Sequence, residues 1–562
     1  MLTILLASAV AIAAPADNNS NDGTNFTACD GYAAPTRKVD GITKATWLWG
    51  LATETSDIRR STAIKLGSNG SAACEKALAD PLLLPDYWVR RANLLQARAL
   101  HAFVAGDASL ALSLLDESDA IGTAQKTGTF EQSLGLGNLA IRAFIQGEKG
   151  DADAARATAA RMIALRPWST TNLRLAAALV DRLDSVEVAH QHARDRLKYL
   201  PGTAGSLAIA HFERGEYAEA LAVSALIDFA QPKMRGGWYI EGAKDRDVEI
   251  IESRAVIAGM RAYAASAIGN GVLASQLLAS ARAELDAADI VPKPGPDGAP
   301  PRKSAVEAYA RRWPFVSAGR TAITKWEAAI AFSAKVPTMP IDTVFSEYQK
   351  GDFKELGITP DILRRMVIPD KTAAAERDKT LQDVIARATK EQRARDTLTP
   401  SDLAAILPRP ETPKMVPVMK PAGDGYFLSD TGLSRARSDE ADVWTIRFTH
   451  PLASIETVEE MAMIGAAQTA VEQKKDGFVI LTSRSFSRTM HVSNTMYGVV
   501  LSKYDTNDGY EAQLRVRFVD SAALPPPLAD MGWRVIKASE VISSLSSKYR
   551  RSSGVTIAWE KR

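Results

Sequence analysis

Apolar residues in the second half of the chain recur with two different periods. Within residues 373–394, four apolar positions follow the i, i+3, i+4, i+7 spacing that forms one stripe along a helix. They are Leu381, Val384, Ile385 and Ala388. Residues 443–448 instead alternate apolar and polar side chains, as in a strand with one buried face. The chain is therefore expected to combine helical regions with a later region that contains a β-sheet.

The last 140 or so residues carry several strand-like segments between two amphipathic ones. Helices are predicted over 455–473 and 538–549, and further strands over 478–482, 496–503, 510–519 and 554–559, with Asp508 and Gly509 as a hairpin turn. A basic loop is expected at Arg484, Arg488 and His491. The order β-α-β-β-β-α-(β) predicts a small α+β domain with one mainly antiparallel sheet.

A glycine, an alanine and a proline recur at fixed distances through the middle of the chain. The glycine allows a tight turn between antiparallel helices, the alanine five residues later allows close packing, and the proline twelve residues further on ends the second helix. Complete units are Gly150, Ala155 and Pro167, and Gly215, Ala220 and Pro232; partial units are Asp184, Ala189 and Pro201, Gly106 and Ala111, and Gly269 and Ala274. This spacing predicts a series of helical hairpins.

With the segment Gly-Glu-Tyr-Ala-Glu-Ala-Leu at 215–221 and units 34 residues apart, the region 88–289 resembles the tetratricopeptide repeat family. In that family the first helix of each pair lines a concave groove. The resemblance implies a partner-binding groove, with a protein or peptide as its ligand, at Phe144, Arg174, Ala178, Ile209, Phe212 and Tyr263. Irregular packing that turns some of these side chains inward is the alternative. A further helical pair is expected around residues 305–334.

A second resemblance covers residues 425–550. The segments Ala-Ala-Gln-Thr-Ala at 466–470, Asp-Gly-Phe-Val-Ile at 476–480 and Lys-Ala-Ser-Glu-Val-Ile at 537–542 look like a small domain of uncharacterised alphaproteobacterial envelope lipoproteins. The resemblance implies an envelope setting and brings no catalytic residues. No cysteine follows the N-terminal apolar run to accept a lipid, so this chain departs from those lipoproteins.

The N-terminus has the pattern of a secretory signal. An apolar run over residues 2–14 ends in small residues and is followed at once by polar ones, although no lysine or arginine precedes it. We therefore expect a signal peptide over 1–16 and a periplasmic or secreted protein; a buried N-terminal strand or helix is the alternative. The run is too short to cross a bilayer, and no other segment is expected to be transmembrane.

The two cysteines, Cys29 and Cys74, precede the repeats. In an exported chain such a pair is a natural disulfide, and two independent thiols are the alternative. Metal binding by two cysteines without a neighbouring histidine is not expected.

Charge and motifs exclude several classes of function. The 68 basic and 66 acidic residues give a formal charge of +2, which lacks the strong basic field of a general nucleic-acid binder. The phosphate-binding loop, the zinc-binding helix and the nucleophile elbow are absent from the sequence. His190 and His192 lie two residues apart on a predicted helix and so point to opposite sides. We therefore predict no enzyme activity, no cofactor and no metal.

Proline-rich stretches mark the expected domain boundaries. The predicted segments of the chain are a signal peptide at 1–16, an N-terminal segment at 17–87, helical repeats at 88–290, a linker at 291–303, further helices at 304–406, a second linker at 407–424 and an α+β domain at 425–562. Mostly α with a small α+β domain is the predicted fold class.

Two functions of different class agree with these features. The first is an exported scaffold or adaptor that binds protein or peptide partners through the helical groove. The alternative is an envelope enzyme or carbohydrate-binding protein with a site between the repeats and the C-terminal domain, where Arg235, Trp238, Arg484 and His491 would have to converge.

Overall fold

The computed structural model describes residues 24–42, 45–47, 52–54, 64–230, 243–295, 298–395, 397–417, 419, 422, 431–496 and 499–549. The chain divides into two compact units. The first unit comprises the described residues up to 200 and those from 397 onward, and the second comprises the described residues between 201 and 395. The boundary at residue 200 falls inside the predicted repeat region. The predicted signal peptide and the predicted strand at 554–559 lie outside the described residues.

The first unit begins with short N-terminal elements followed by helical hairpins. Its elements up to residue 200 are α1 (Asn25–Asp30), β1 (Ala45–Trp47), β2 (Ala52–Glu54), α2 (Ser68–Leu78), α3 (Trp88–Val104), α4 (Ala108–Ala124), α5 (Gly128–Gln132), α6 (Leu134–Glu148), α7 (Ala152–Leu165), α8 (Thr170–Val180) and α9 (Val186–Arg196). Helix α3 packs on α4, and α6 packs on α7. The turn of each hairpin contains the glycine that the spacing predicts, Gly106 and Gly150.

The secondary structure of the second unit, in its described residues, consists of helices joined by loops. Its helices are α10 (Ala204–Glu213), α11 (Tyr217–Ser224), α12 (Ala243–Ala267), α13 (Gly271–Ala288), α14 (Lys303–Lys335), α15 (Ile341–Lys350), α16 (Thr359–Arg365) and α17 (Lys371–Arg395). Helices α10 and α11 form one hairpin, and α12 and α13 form another. Helix α17 confirms the helix expected from its apolar stripe. The predicted helical pair at 305–334 is wrong, because α14 is one helix of 33 residues that continues through Pro314.

Close packing explains why α14 is continuous. Trp326 of α14 lies against Gly259 of α12, where an added Cβ would meet the indole at 1.9 Å. Gly319 of α14 is also tightly packed, since a Cβ there would lie 2.7 Å from Leu285 of α13 and 3.2 Å from Ala255 of α12. These contacts hold the C-terminal half of α14 along α12, whereas Pro314 removes only one intrahelical hydrogen bond.

The hairpin turns follow the predicted spacing. The glycines that precede α4, α7, α11 and α13 all have positive φ, between 73° and 92°. They are Gly106, Gly150, Gly215 and Gly269. This left-handed conformation is accessible to glycine without a steric penalty. The alanines five residues later are all buried: Ala111, Ala155, Ala220 and Ala274. In these four units the alanine therefore lies where the helices of a hairpin are closest.

The C-terminal part of the first unit is the predicted α+β domain. It contains α18 (Pro400–Ile406), β3 (Gly432–Arg437), β4 (Val443–His450), α19 (Ile455–Glu472), β5 (Gly477–Met496), β6 (Val499–Val519), β7 (Ile536–Lys537) and α20 (Ala538–Ser546). The sheet has the order β3-β4-β6-β5-β7, and its neighbours are antiparallel. Helix α19 packs on the sheet around Phe448, Met461 and Phe478. The predicted fold class, mostly α with a small α+β domain, is confirmed.

The predicted hairpin turn at Asp508 and Gly509 is wrong. Strand β6 runs through both residues, and the pairing with β5 shifts by one residue beside them, as in a β-bulge. Gly509 has φ +95°, and a Cβ there would lie 2.2 Å from the carbonyl oxygen of His450. The glycine therefore permits a close backbone approach rather than a reversal of the chain.

Strand β5 is also longer than the sequence predicts. It continues through Arg484, Arg488 and His491, so the expected basic loop is part of a strand. Strand β4 pairs with β6 only from Tyr510 onward. Among the described residues before Tyr510, β6 pairs only with β5, as far as Val499 opposite Met496. Their ends form a two-stranded ribbon that extends past the rest of the sheet.

Cys29 and Cys74 form a disulfide, with 2.08 Å between the sulfur atoms. The buried imidazole of His101 joins the same region: Nδ1 accepts a hydrogen bond from the Gly67 N–H at 3.2 Å, and Nε2 donates to the Cys29 carbonyl at 2.8 Å. Burial lowers the pKa of His101, which favours this neutral form. Next to it, the buried Arg90 forms an ion pair with Asp30 at 3.0 Å. The disulfide, the hydrogen bond from His101 and the ion pair of Arg90 thus together attach the N-terminal helix α1 to α2 and α3.

Candidate functional site

Four of the six residues predicted to line a groove are buried. Phe144, Ile209, Phe212 and Tyr263 are each no more than 8% exposed. Phe144 packs edge-on against Phe103, with ring centroids 5.7 Å apart, in the first unit. The groove prediction is therefore wrong for these four. Ala178 is partly buried and Arg174 is exposed, so neither defines a groove by itself.

The cause of the error in the second unit is additional helical packing. The rings of Phe212 and Tyr263 lie 5.7 and 5.9 Å from the indole of Trp326 on α14. The Tyr263 hydroxyl donates to the carboxylate of Asp361 on α16 at 2.7 Å. Helices that follow the repeats thus cover the face that would have lined a groove.

A group of buried charged residues in the first unit lies where the α7–α8 turn meets the start of α19. It contains charged groups that are all 3% exposed or less, except the partly exposed Lys548: Arg166, Glu411, Glu456, Glu459, Glu460 and Lys548. With Tyr549 they are here named the Arg166 junction. Residues from 165–171, 411, 454–460 and 548–549 meet there, so contacts between distant parts of the chain create it.

Glu411 links the two sides of the junction. Its carboxylate accepts hydrogen bonds from the Ser454 N–H at 2.6 Å, from the Thr457 hydroxyl at 2.9 Å and from Arg166 Nη2 at 3.3 Å. Ser454 is the N-cap of α19, so the carboxylate lies at the positive end of that helix. Both the helix dipole and the guanidinium therefore compensate its charge.

Glu459, on α19, connects that helix to the start of α8. Its carboxylate accepts from the hydroxyls of Ser169 and Thr170 at 2.7 and 2.6 Å, and from the N–H and hydroxyl of Thr171 at 2.9 and 2.8 Å. The Ser485 hydroxyl of β5 donates to it as well, at 2.6 Å. The carboxylate of Glu459 thus accepts hydrogen bonds from four residues and ties α19 to both α8 and β5.

The third side of the junction comes from the residues after α20. The Tyr549 hydroxyl donates to Glu460, and Lys548 donates to the Leu165 carbonyl and lies 3.7 Å from Glu460. Burial raises the pKa of Tyr549. Its hydroxyl therefore keeps the proton that it donates.

Burial and opposing charge set the protonation states of the junction. Burial alone would lower the pKa of Arg166, but its interactions with Glu460, Tyr549 and Glu411 raise it. Burial raises the pKa of Glu456 from 4.5 to about 7, although Arg166 opposes the shift. The junction thus has one carboxyl that titrates near neutral pH. Its side chains contact one another, and all but Lys548 are shielded from solvent, so the junction fastens the α+β domain to the α7–α8 turn.

One group of three side chains in the first unit has a spacing suited to a metal ion. The ligand atoms of Asp181, Asp184 and His192 lie within 4.8 Å of one another. Both carboxylates already form ion pairs, Asp181 with Arg196 and Asp184 with Arg156. These arginines supply the positive charge that a metal would provide, so the group is explained by ion pairing.

Exposed apolar side chains of the second unit gather beside the start of α14. Ile290, Val291, Val306 and Trp313 are 63%, 56%, 45% and 40% exposed. Tyr309 stacks on Trp313 with ring centroids 5.9 Å apart. These five residues are here named the Trp313 patch.

Arginines join the two sides of the patch. Arg320 lies 5.9 Å from the Trp313 ring and pairs with Asp289, which precedes Ile290, at 2.9 Å. Arg312 donates to the Ile290 carbonyl at 3.3 Å. The segment after α13 and the first turns of α14 therefore form one continuous surface.

Comparison with protein-family models, with curated proteins and with solved structures found no match. Helices long and apolar enough to cross a membrane are absent from the described part of the chain.

The residues of the alternative site are only partly described. Arg235, Trp238 and the His491 side chain lie outside the described residues, and Arg484 is partly buried on β5. Their convergence therefore stays a prediction. Sequence reasoning missed the Arg166 junction, although three glutamates at the start of an otherwise apolar helix, at 456, 459 and 460, were a usable signal. It also missed the Trp313 patch, whose signal was an aromatic pair four residues apart next to two arginines.

Proposed function

We propose that the protein is an exported helical scaffold that binds an acidic, partly apolar segment of a partner protein through the Trp313 patch. The observation that carries this proposal is the concentration of exposed apolar side chains around one tryptophan. Isolated exposed apolar residues are common on soluble proteins, but a contiguous set with tryptophan, tyrosine and arginine is typical of binding surfaces. The resemblance of 88–289 to tetratricopeptide repeats supports the same class of function.

Charge identifies the chemistry of the partner. Between Ile290 and Trp313 the chain has five basic residues and two acidic ones. Arg302, Lys303 and Arg311 are exposed there, and an acidic segment would complement them. Two exposed carboxylates lie beside these cations: Asp286 pairs with Arg320 at 2.9 Å, and Glu307 lies 3.9 Å from Lys303. They disfavour a flat anionic membrane, whereas a narrow peptide can avoid them.

Export is supported by two independent features. The N-terminal pattern is that of a signal peptide, and the Cys29–Cys74 disulfide is of a kind that persists in oxidising compartments. We therefore place the partner in the periplasm or outside the cell.

The test measures the affinity of the full mature chain for a labelled helical peptide of leucine and glutamate by fluorescence anisotropy. Trp313→Ala should weaken binding by about 30-fold, because truncating a central tryptophan typically costs about 2 kcal/mol. Trp533→Ala is the matched control, since Trp533 is 41% exposed and lies in the other unit. Its affinity should equal that of the wild type.

Three results would contradict the proposal. One is equal binding of the Trp313 and Trp533 variants. Another is equal binding of a leucine–lysine peptide of the same length. The third is binding to vesicles of phosphatidylglycerol and phosphatidylcholine in the absence of any binding to the acidic peptide, which would show that the surface meets a membrane.

A further inference from the structure

A cavity of about 410 Å³ lies at one end of the sheet in the first unit. Its walls come from three segments: the residues before β4, the turn between α19 and β5, and the end of β6 with the loop that follows. Strand β4 begins at Val443, opposite Arg517, whereas β6 continues to Val519. The cavity therefore lies where β6 extends past the start of β4.

Hydrogen bonds within the chain hold these walls together. The Phe518 N–H donates to the Asp442 carbonyl at 2.9 Å, which fixes the segment before β4 against β6. The Ser521 N–H donates to the Asp476 carboxylate at 2.7 Å, which joins the loop after β6 to the turn before β5. The cavity is thus formed by the folded chain itself, as binding sites for small molecules usually are.

Both signs of charge line the cavity. Arg517 and Lys475 are basic, whereas Glu440, Asp442 and Asp520 are acidic. Glu440 is already paired with Nη2 of Arg517, at 2.8 Å. Within the described part of the chain, the side chains of Lys475 and Asp442 form no ion pair and no hydrogen bond. An ammonium group and a carboxylate group therefore remain on the walls for a ligand.

The Arg517 guanidinium also has an unused donor. Its Nε is buried and has no hydrogen-bond partner among the described residues. A buried donor on a charged group is normally paired, because it has lost its hydration. Arg166 has unpaired nitrogen atoms too, but it is fully enclosed by neighbouring side chains, whereas Arg517 lines a cavity of ligand size. The missing acceptor therefore has room to bind beside Arg517.

We propose that this cavity binds a small zwitterion, a molecule with one carboxylate and one ammonium group, that carries an apolar side chain. Lys475 and the Nε–H of Arg517 bind its carboxylate, and Asp442 binds its ammonium group. A simple anion is disfavoured, because the lining has three acidic residues and only two basic ones. The apolar side chain contacts the uncharged part of the lining, which includes Ala441, Ala523 and Pro525.

Two sources of this zwitterion can be separated by experiment: a free α-amino acid and a short peptide. The first probe is L-leucine, titrated into the full mature chain in isothermal titration calorimetry, and we expect saturable binding. The second probe is alanyl-leucine. Tighter binding of the dipeptide than of leucine identifies a peptide as the ligand, and equal or weaker binding identifies a free amino acid. Both outcomes support a zwitterion site.

Two derivatives of leucine test the two charges separately. Leucinamide keeps the ammonium group and lacks the carboxylate, whereas N-acetylleucine keeps the carboxylate and lacks the ammonium group. Each should bind about tenfold more weakly than leucine or worse, because a charged group of the lining then loses its partner. Equal affinity for leucine and either derivative would overturn the proposal. So would the absence of saturable binding by both leucine and alanyl-leucine. These comparisons use the wild type and need no variant to fold.

Variants localise the binding. Lys475→Met should weaken leucine binding about tenfold and leave leucinamide binding unchanged, since leucinamide has no carboxylate for Lys475 to bind. Lys474→Met is the matched control, because Lys474 is exposed next to Lys475 and does not line the cavity. Asp442→Asn should weaken the binding of leucine but not that of N-acetylleucine, and asparagine tolerates the φ of 57° at this position. Equal losses of leucine binding in the Lys474 and Lys475 variants would overturn the proposal.

Discussion

Replacing Arg166 by methionine tests whether the junction holds the α+β domain in place. Methionine has a similar length and fills most of the same space, so the change mainly removes charge and hydrogen bonds. Arg166 is fully buried and donates to Glu411 at 3.3 Å and to Thr457 at 2.8 Å. Removing one partner of a buried ion pair typically costs 3–5 kcal/mol, because it leaves the other charge uncompensated. We expect a loss of about 3–5 kcal/mol in the free energy of unfolding of the first unit.

Urea unfolding followed by tryptophan fluorescence measures this loss, with amide hydrogen exchange at Thr171 as a local readout. Arg142→Met is the matched control, since Arg142 pairs at the surface with Asp116 and Asp119 and its loss should cost less than about 1 kcal/mol. Equal effects of the two variants would refute the reasoning. So would an Arg166 variant that loses stability without faster exchange at Thr171, because the junction would then not control that turn.

Three further predictions concern titration, covalent structure and backbone geometry. The pKa of Glu456 is about 7 in the folded protein and 4.5 in the unfolded chain, so the native state binds more protons between these pH values. The free energy of unfolding should therefore fall by on the order of 3 kcal/mol as the pH rises from 4.5 to 7. Urea titrations at several pH values measure this fall, and Glu456→Gln should remove it. Replacing Cys29 and Cys74 by alanine should lower the free energy of unfolding by about 3–4 kcal/mol, and a reduced wild type that is as stable as the oxidised one would contradict this. Gly509→Val should cost about 2 kcal/mol or more in thermal unfolding, whereas a neutral effect would show that β6 does not need its positive φ.

Local features of the sequence predicted much of the fold because they depend on near neighbours. Gly106 and Gly150 mark hairpin turns since only glycine enters the left-handed region readily, and both have positive φ. Helix α19 was predicted within one residue of its observed end because its amphipathic pattern starts after the capping residue Ser454. The disulfide between Cys29 and Cys74 was likewise predicted from the presence of two cysteines in a chain expected to be exported.

Features that depend on distant neighbours were predicted incorrectly or missed. The repeat register placed Tyr263 at the groove position and Phe212 beside it, but it carried no information about α14, whose Trp326 covers both side chains. Asp508 and Gly509 have the composition of a turn, yet the carbonyl of His450 decides that Gly509 serves a close contact within a strand.

The sequence by itself determined helices such as α17 and α19, the glycine turns of four helical hairpins and which cysteines can pair, because propensity, capping and spacing act over a few residues. Only the tertiary structure decided which apolar faces are covered. It also decided that Arg166 meets Glu411 from 245 residues away. Burial and charge compensation depend on what else packs nearby, and that depends on contacts between residues far apart in the chain.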